Sequence, residues 1–252
     1  LLVDTYDVLK SGVPNAIRTA REVLEPMGKK LIGIRLDSGD LAYLSKEARK
    51  MLDEAGLPDC MIVASNSLDE YTISSLNRQG AKIDSYGVGE RLITSSSTPV
   101  FGAVYKLVAI QKDGKFIPKI KISETAEKIT NPGIKEVYRV YDENGKAVAD
   151  YLAVKGEQIR DFEPVRYVDP VNYWKNRSFV GCRFKKLQVP VFEKGKRIYD
   201  LPDIEEIRQY VKDQLENEIW EEEQRFENAH THYLDMSPAM FELKMSLLHE
   251  EN

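Results

Sequence analysis

The feature that most constrains this chain is an alternation of two hydrophobic periods over its first 110 residues. Four short apolar runs, at 1–3 (LLV), 31–36 (LIGIRL), 61–64 (MIVA) and 83–88 (IDSYGV), read as buried strands of a parallel sheet. Helical patterns lie between them. Residues 14–27 set Ile17, Ala20, Val23 and Leu24 on one face. Residues 41–56 do the same with Leu44, Ala48, Met51, Leu52 and Ala55 and stop at Gly56, while residues 68–80 group Tyr71, Ser75 and Leu76 and stop at Gly80. Strand–helix repeats with short connections demand right-handed crossovers and so a parallel sheet. A further strand is expected over 103–110, after a long polar loop. Four or five such strands make half a barrel or a small open sheet, and either architecture puts functional groups at the carboxyl ends of the strands.

Beyond residue 110 the pattern changes. Lys112-Asp113-Gly114-Lys115 and Asp142-Glu143-Asn144-Gly145 read as hairpin turns, the second between antiparallel strands at 136–141 and 147–154. Residues 175–197 are basic, with eight Lys/Arg and one acid. A helix follows from Pro202, with Ile204, Ile207, Val211, Leu215 and Ile219 as one apolar stripe; residues 203–228 hold ten acids against three bases. An amphipathic helix over 238–248 closes the chain. The expected organisation is therefore an α/β barrel portion (1–110), a β-rich segment (111–200) and a C-terminal helical segment (201–252).

Several function classes fall away. No apolar run approaches the ~18–20 residues of a membrane span, and the opening residues lack the regions of a signal peptide. A net charge of −5 argues against a dedicated nucleic-acid binder. Two cysteines, Cys60 and Cys182, cannot build a disulfide framework or a four-ligand zinc site, which points to a reducing cytoplasm. Cys60 reads as a small core residue. His230, His232 and His249 lie far from the strand ends and read as surface histidines. The chain starts on Leu-Leu-Val and enters a strand at once, so it reads as the back portion of something longer.

The four strand ends carry the chemistry: Asp4-Thr5-Tyr6-Asp7, Arg35-Leu36-Asp37-Ser38-Gly39-Asp40, Ser65-Asn66-Ser67-Leu68-Asp69 and Gly87-Val88-Gly89-Glu90-Arg91. The second is the densest. Asp37 and Asp40 bracket a Ser38-Gly39 pair whose backbone N–H groups can approach a ligand, beside a helix N-terminus, and Arg35 adds a planar fork for carboxylate or phosphate. This suits an anion carried with Mg²⁺, the acids facing metal-bound water; plain N-capping and a surface ion pair are the alternative. Gly87, Gly89 and Thr94 form a phosphate nest or an ordinary tight turn. Asn66 contacts phosphate or caps the third helix. Asp4 orients a His or a ribose hydroxyl, or caps the segment after it.

Taken together, LLVDTYD (1–7), GIRLDSGDLAYLSK (33–46), SNSLDEYTI (65–73), YGVGERLITS (86–95), GAVYKLV (102–108), KISETAEKITNPGIKEVYR (121–139) and NAHTHYLDMSPAMFELK (228–244) resemble the nicotinate phosphoribosyltransferase family over nearly the whole chain. The resemblance implies a type II phosphoribosyltransferase fold: an irregular α/β barrel with a second, β-containing domain. It implies a reaction of nicotinate with phosphoribosyl diphosphate, giving nicotinate mononucleotide and diphosphate, coupled to ATP hydrolysis through a phosphohistidine. It also implies Mg²⁺, a homodimer, and no nucleic-acid or membrane partner. Carried onto this chain, Arg35 would contact nicotinate or the phosphoribosyl group, and Asp37 and Asp40 would serve ribose hydroxyls or Mg²⁺-diphosphate. Ser38, Gly39, Asn66, Gly87, Gly89 and Thr94 would hold phosphate. Asp4 would sit behind the catalytic His, which in the family precedes the DTYD strand, so this chain alone is expected to lack ATP-coupled activity. Alternatives are a nicotinamide or quinolinate phosphoribosyltransferase, or a non-catalytic phosphosugar-binding paralogue.

Overall fold

Parallel pairing organises the first part of the chain. In the computed structural model, which describes residues 1–100, 102–125 and 128–250, β1 (Gly33–Leu36), β2 (Met61–Ala64) and β3 (Ser85–Tyr86) form a parallel sheet in that order. Leu2 adds a parallel bridge to Arg35 on the outer side of β1. Neighbours in space are thus neighbours in sequence, the winding of a barrel wall or of one half of a doubly wound sheet, with no reversal of order among the described strands. β3 is shorter than expected, but hydrogen bonds from Asp84 N to Ile62 O and from Gly87 N to Ala64 O continue the pairing on both sides of it.

The helices cover one face of this sheet. Residues 8–27 are helical but irregular: α1 (Val13–Thr19) lies between π-helical turns at Val8–Gly12 and Ala20–Leu24 and a 3₁₀ turn at Glu25–Met27. The helix starts before the expected residue 14 because Asp7 accepts the Leu9 and Lys10 amides. The π turns rotate its inner face, so Val13, Ala16 and Ala20 are buried and Val23 is exposed, contrary to the regular 3.6-residue reading. Gly12 permits the approach of helix to strand, since a Cβ there would lie 1.8 Å from Val3 O. α2 (Leu41–Glu54) and α3 (Glu70–Arg78) complete the layer, with Ser45, Ala48 and Leu52 buried on α2 and Leu76 on α3. A short turn of helix, α4 (Glu90–Ile93), follows β3. Ile34, Leu36, Ile62 and Ala64 face the helices, whereas Arg35 and Met61 are exposed. Full burial of both sheet faces, expected from the apolar runs, does not hold among the described residues, because the helices lie on one side only.

From Val104 onward the chain forms a second compact unit. The strand expected at 103–110 begins at Ala109: β4 (Ala109–Lys112) and β5 (Lys115–Pro118) form a hairpin whose register is set by Asp113 and Gly114, both at positive φ. A larger sheet holds β6 (Lys135–Tyr141), β7 (Ala147–Val154), β8 (Val165–Val168), β9 (Asn176–Phe179) and β10 (Arg183–Lys186), and a small ribbon pairs β11 (Phe192–Glu193) with β12 (Lys196–Arg197). After α5 (Ile204–Asp213), β13 (Leu234–Met236) enters the larger sheet between β7 and β8, and α6 (Pro238–Glu250) follows it. The strand order is β10-β6-β7-β13-β8-β9. One face packs Val140, Ala149, Tyr151, Ala153, Phe179 and Cys182; the other packs Leu152 and Met236 against Met240 of α6. The α5 stripe is not a core: Ile204, Ile207, Val211 and Leu215 are exposed, and the helix turns π-helical at Gln214, which takes Ile219 out of line. His232 is not a free surface histidine either. Its Nδ1 lies 3.2 Å from Glu223, and its Nε2 lies 3.4 Å from Asp150, which is ion-paired to Arg139. No helix among the described residues is long and apolar enough to cross a membrane.

Asp235 on β13 is the most deeply buried carboxylate among the described residues of this unit, only 7% exposed. Burial, reinforced by the Asp169 charge, pushes its carboxyl from 3.8 up to about 6. An acid that holds its proton more tightly when folded favours the folded state below pH 4, and that contribution is lost as pH rises from about 4 to 6. Asp235→Asn is therefore expected to gain stability over the parent as pH rises through this window, by about 2 kcal/mol between pH 4 and pH 7. Urea denaturation of both proteins at the two pH values measures it.

Candidate active site at the strand ends

Parallel strands pointing the same way deliver their carboxyl-terminal loops to one edge, and side-chain hydrogen bonds lace these loops together. Asp4, just past the Leu2 bridge, accepts the Asp37 amide at 3.0 Å and the Ser38 hydroxyl at 2.7 Å through Oδ2. Asp37 in turn accepts the hydroxyl of Ser65, the first residue past β2. A Cβ on Gly87, just past β3, would touch the Ser65 Cβ at 3.4 Å, so the third and fourth loops meet there. Asp69, whose Oδ1 caps α3 by accepting Thr72 N at 2.8 Å, pairs with Arg91 of α4. That cap and the Arg91 pairing hold the Asp69 carboxyl below the usual carboxylate range, the Thr72 amide being the main cause.

The expected site residues divide by what they already bind. Asp40 is the N-cap of α2 and accepts Tyr43 N at 3.0 Å through one oxygen; Asp37 engages Ser65 through one oxygen. Each carboxylate keeps its other oxygen open to the loops. Arg35 is exposed on the sheet face away from the helices, and its guanidinium has no hydrogen bond or ion pair among the described residues. Gly39 takes φ +79°, a left-handed conformation that glycine adopts without steric cost. Asn66 (φ 95°) and Ser67 (φ 45°) are non-glycine residues in the left-handed region, a strain of about 1–3 kcal/mol each of the kind that clusters at functional loops. The Gly87 amide is consumed by Ala64 O, and the Thr94 hydroxyl donates to Glu90 O at 2.7 Å. Gly89 has open space around its Cα.

Three residues of the expected strand ends to which no role was assigned join it: Ser65, Asp69 and Arg91. Ser65 occupies the position after β2 that Asp37 occupies after β1, and this equivalence was the available signal. Among the described residues no group of three or more His, Cys, Asp or Glu side chains is placed to hold a metal ion. A cation at Asp37 and Asp40 would thus take most of its ligands from a bound phosphate, the habit of Mg²⁺.

A barrel-wound parallel sheet and a separate, mostly antiparallel sheet define a type II phosphoribosyltransferase fold. Residues 134–244 match the family model of the nicotinate phosphoribosyltransferase C-terminal domain. Over 250 residues the chain is 48% identical to nicotinate phosphoribosyltransferase of Bacillus subtilis (strain 168), covering 99% of this chain and 50% of that protein. It is 38% identical to the Dictyostelium discoideum enzyme of the same name, covering 96% of this chain and 42% of that one. The crystal structure of human nicotinic acid phosphoribosyltransferase superposes with a TM-score of 0.75 at 26% identity, over 98% of this chain and 46% of that one. The chain belongs to the nicotinate phosphoribosyltransferase family, and it spans about half the length of the curated relatives it matches.

Asp4→Ala strips the acceptor from the Asp37 amide and the Ser38 hydroxyl at once. The expected cost is about 1–3 kcal/mol of stability, with faster amide exchange at Asp37 and Ser38. Chemical denaturation and hydrogen exchange read the two effects; an unchanged exchange rate at Asp37 would show that Asp4 does not hold the loop.

Proposed function

We propose that this protein is a nicotinate phosphoribosyltransferase. It joins nicotinate to phosphoribosyl diphosphate to give nicotinate mononucleotide and diphosphate, with ATP hydrolysis coupled to the reaction. The observation that carries this reading is the lacing of Asp4, Asp37 and Ser65 across three strand ends, in a chain 48% identical to an enzyme of that name. In the transfer, the pyridine nitrogen bonds to C1 of the ribose as the C1–O bond to diphosphate breaks, with oxocarbenium character at C1. The demands on the protein are positioning and electrostatic help for the departing diphosphate.

Each residue has a role that its surroundings support. Arg35, unpaired and exposed on the open sheet face, meets the nicotinate carboxylate or a phosphate with its planar fork. Ser38, Gly39, Asn66 and Gly89 line the phosphate and diphosphate, while Gly87 and Thr94, whose donors are engaged by Ala64 O and Glu90 O, shape the loop beside them. Asp37 and Asp40, each with one oxygen engaged and one open, would serve ribose hydroxyls or hold Mg²⁺, which when bound neutralises charge on the diphosphate. Asp4 acts as a positioning residue, because it touches the loop and not the substrate. Leu2 and Met61, exposed apolar side chains, support association through the sheet face; we take the assembly to be a homodimer. The two buried, unpaired cysteines suit the cytoplasm, and neither a nucleic-acid nor a membrane partner is required.

Isothermal titration of this chain with phosphoribosyl diphosphate and Mg²⁺ tests the site. Binding is expected in the parent, and Asp37→Ala should weaken it by about tenfold or more, equivalent to about 1.4 kcal/mol. Equal affinity in the two folded proteins would overturn the assignment of the strand-end loops. Diphosphate release from phosphoribosyl diphosphate, dependent on nicotinate and assayed on the product of the whole reading frame, tests the reaction itself.

A further inference from the structure

The second unit contains a cavity of about 370 Å³, distant in sequence from every strand-end residue. The sheet register explains its composition. Asp235 on β13 pairs with Tyr151 on β7, Met236 pairs with Val168, and Tyr167 on β8 pairs with Arg177 on β9. Because alternate residues share a face, Asp235, Tyr167 and Arg177 lie on one side of the sheet. Asp169, Lys175 and Phe179, each two positions along from one of these, continue the same side. All six line the cavity.

The polar groups are arranged in order of depth. Asp235, 7% exposed, makes no hydrogen bond or ion pair among the described residues. Its charged neighbour is another carboxylate: Asp169 is taken up by its own turn, accepting the Val171 and Asn172 amides at 2.8 Å and the Asn172 side-chain amide at 3.1 Å. Tyr167 and Phe179, stacked at 4.3 Å, supply an aromatic wall. Lys175 and Arg177 are exposed, without an ion pair among the described residues. One acceptor without a protein donor, Asp235, therefore lies deep, with aromatic surface beside it and cationic donors at the solvent side. A buried carboxylate in this state lacks a donor, and desolvation has accordingly pushed its carboxyl up to about 6. The volume, near the low end of the ~300–1,000 Å³ of small-molecule sites, suits one mononucleotide and not a dinucleotide.

We propose that this cavity is a second ligand site, for a nucleoside monophosphate whose base presents an amino or ring N–H group. The base N–H donates to Asp235, its ring lies along Tyr167 and Phe179, and the phosphate meets Lys175 and Arg177. A pyridine carboxylate, which offers no N–H and brings a second anion toward Asp235, is disfavoured here, so the site is chemically distinct from the one at the strand ends.

Isothermal titration of the whole chain with AMP, adenosine and ribose 5-phosphate tests this. AMP is expected to bind more tightly than either fragment. Arg177→Ala, a surface change that leaves the fold intact, should weaken AMP about tenfold and leave adenosine unaltered, while Asp235→Leu should weaken AMP and adenosine alike. Asp37→Ala should leave AMP binding unchanged, which separates this site from the strand-end one, whose own readout is phosphoribosyl diphosphate. Absence of AMP binding to the parent, ribose 5-phosphate binding as tightly as AMP, or an AMP affinity insensitive to both Arg177→Ala and Asp235→Leu would each overturn the proposal. Thermal melts of the variants confirm that they are folded.

Discussion

One carboxylate, Asp4, ties the loops of the candidate site to the sheet beneath them. In a parallel sheet no hairpin fixes one strand end against the next, because each crossover passes through a helix and returns some thirty residues later. The loops after the strands have their own backbone N–H groups to satisfy and no ladder partner to satisfy them. Asp4 supplies that partner to Asp37, and Asp37 passes the link on to Ser65, so a row of side-chain bonds crosses the strands where the backbone ladder ends. Loop geometry is therefore set jointly, by the strand register that brings the loops together and by the loop residues that bond across it. This is the kind of support that keeps ligand-facing groups within the narrow tolerances that binding needs.

Much of this was legible in the sequence, because period and punctuation are local. Met61–Ala64 is a strand at its expected bounds, α2 starts at its expected Leu41, and the Asp113-Gly114 and Asn144-Gly145 turns close hairpins as their residue types require. What was illegible is nonlocal. Hydrophobic runs do not reveal which sheet face a helix covers, so the exposure of Arg35 and Met61 could not be read from them. π-helical turns shift the buried face of residues 8–27 by a fraction of a turn, which an ideal period cannot show. β13 is three residues long, too short for any periodicity, yet it sits in the middle of the larger sheet and brings Asp235 into it. The Asp4–Ser38 bond joins positions 34 apart, and only the fold shows that the two acids of this pair of loops play different parts.

Asp37 and Asp235 show how one residue type acquires opposite chemistry from its surroundings. Asp37 is half-buried, accepts the Ser65 hydroxyl, and has its own amide fixed by Asp4. A carboxylate so held presents its free oxygen to a cation or a hydroxyl. Asp235 is deeper, has no donor within the described residues, and faces another negative charge, so its ionised form is penalised twice. Substituting an apolar residue of similar size at such a position would be expected to stabilise the sheet, since it removes the desolvation cost of a largely buried charge. A carboxylate in that state, lining a cavity whose open side carries two unpaired cations, is a structural liability on its own. It ceases to be one when a ligand brings the missing N–H, and the same desolvation that penalises the empty state then strengthens the bond that forms.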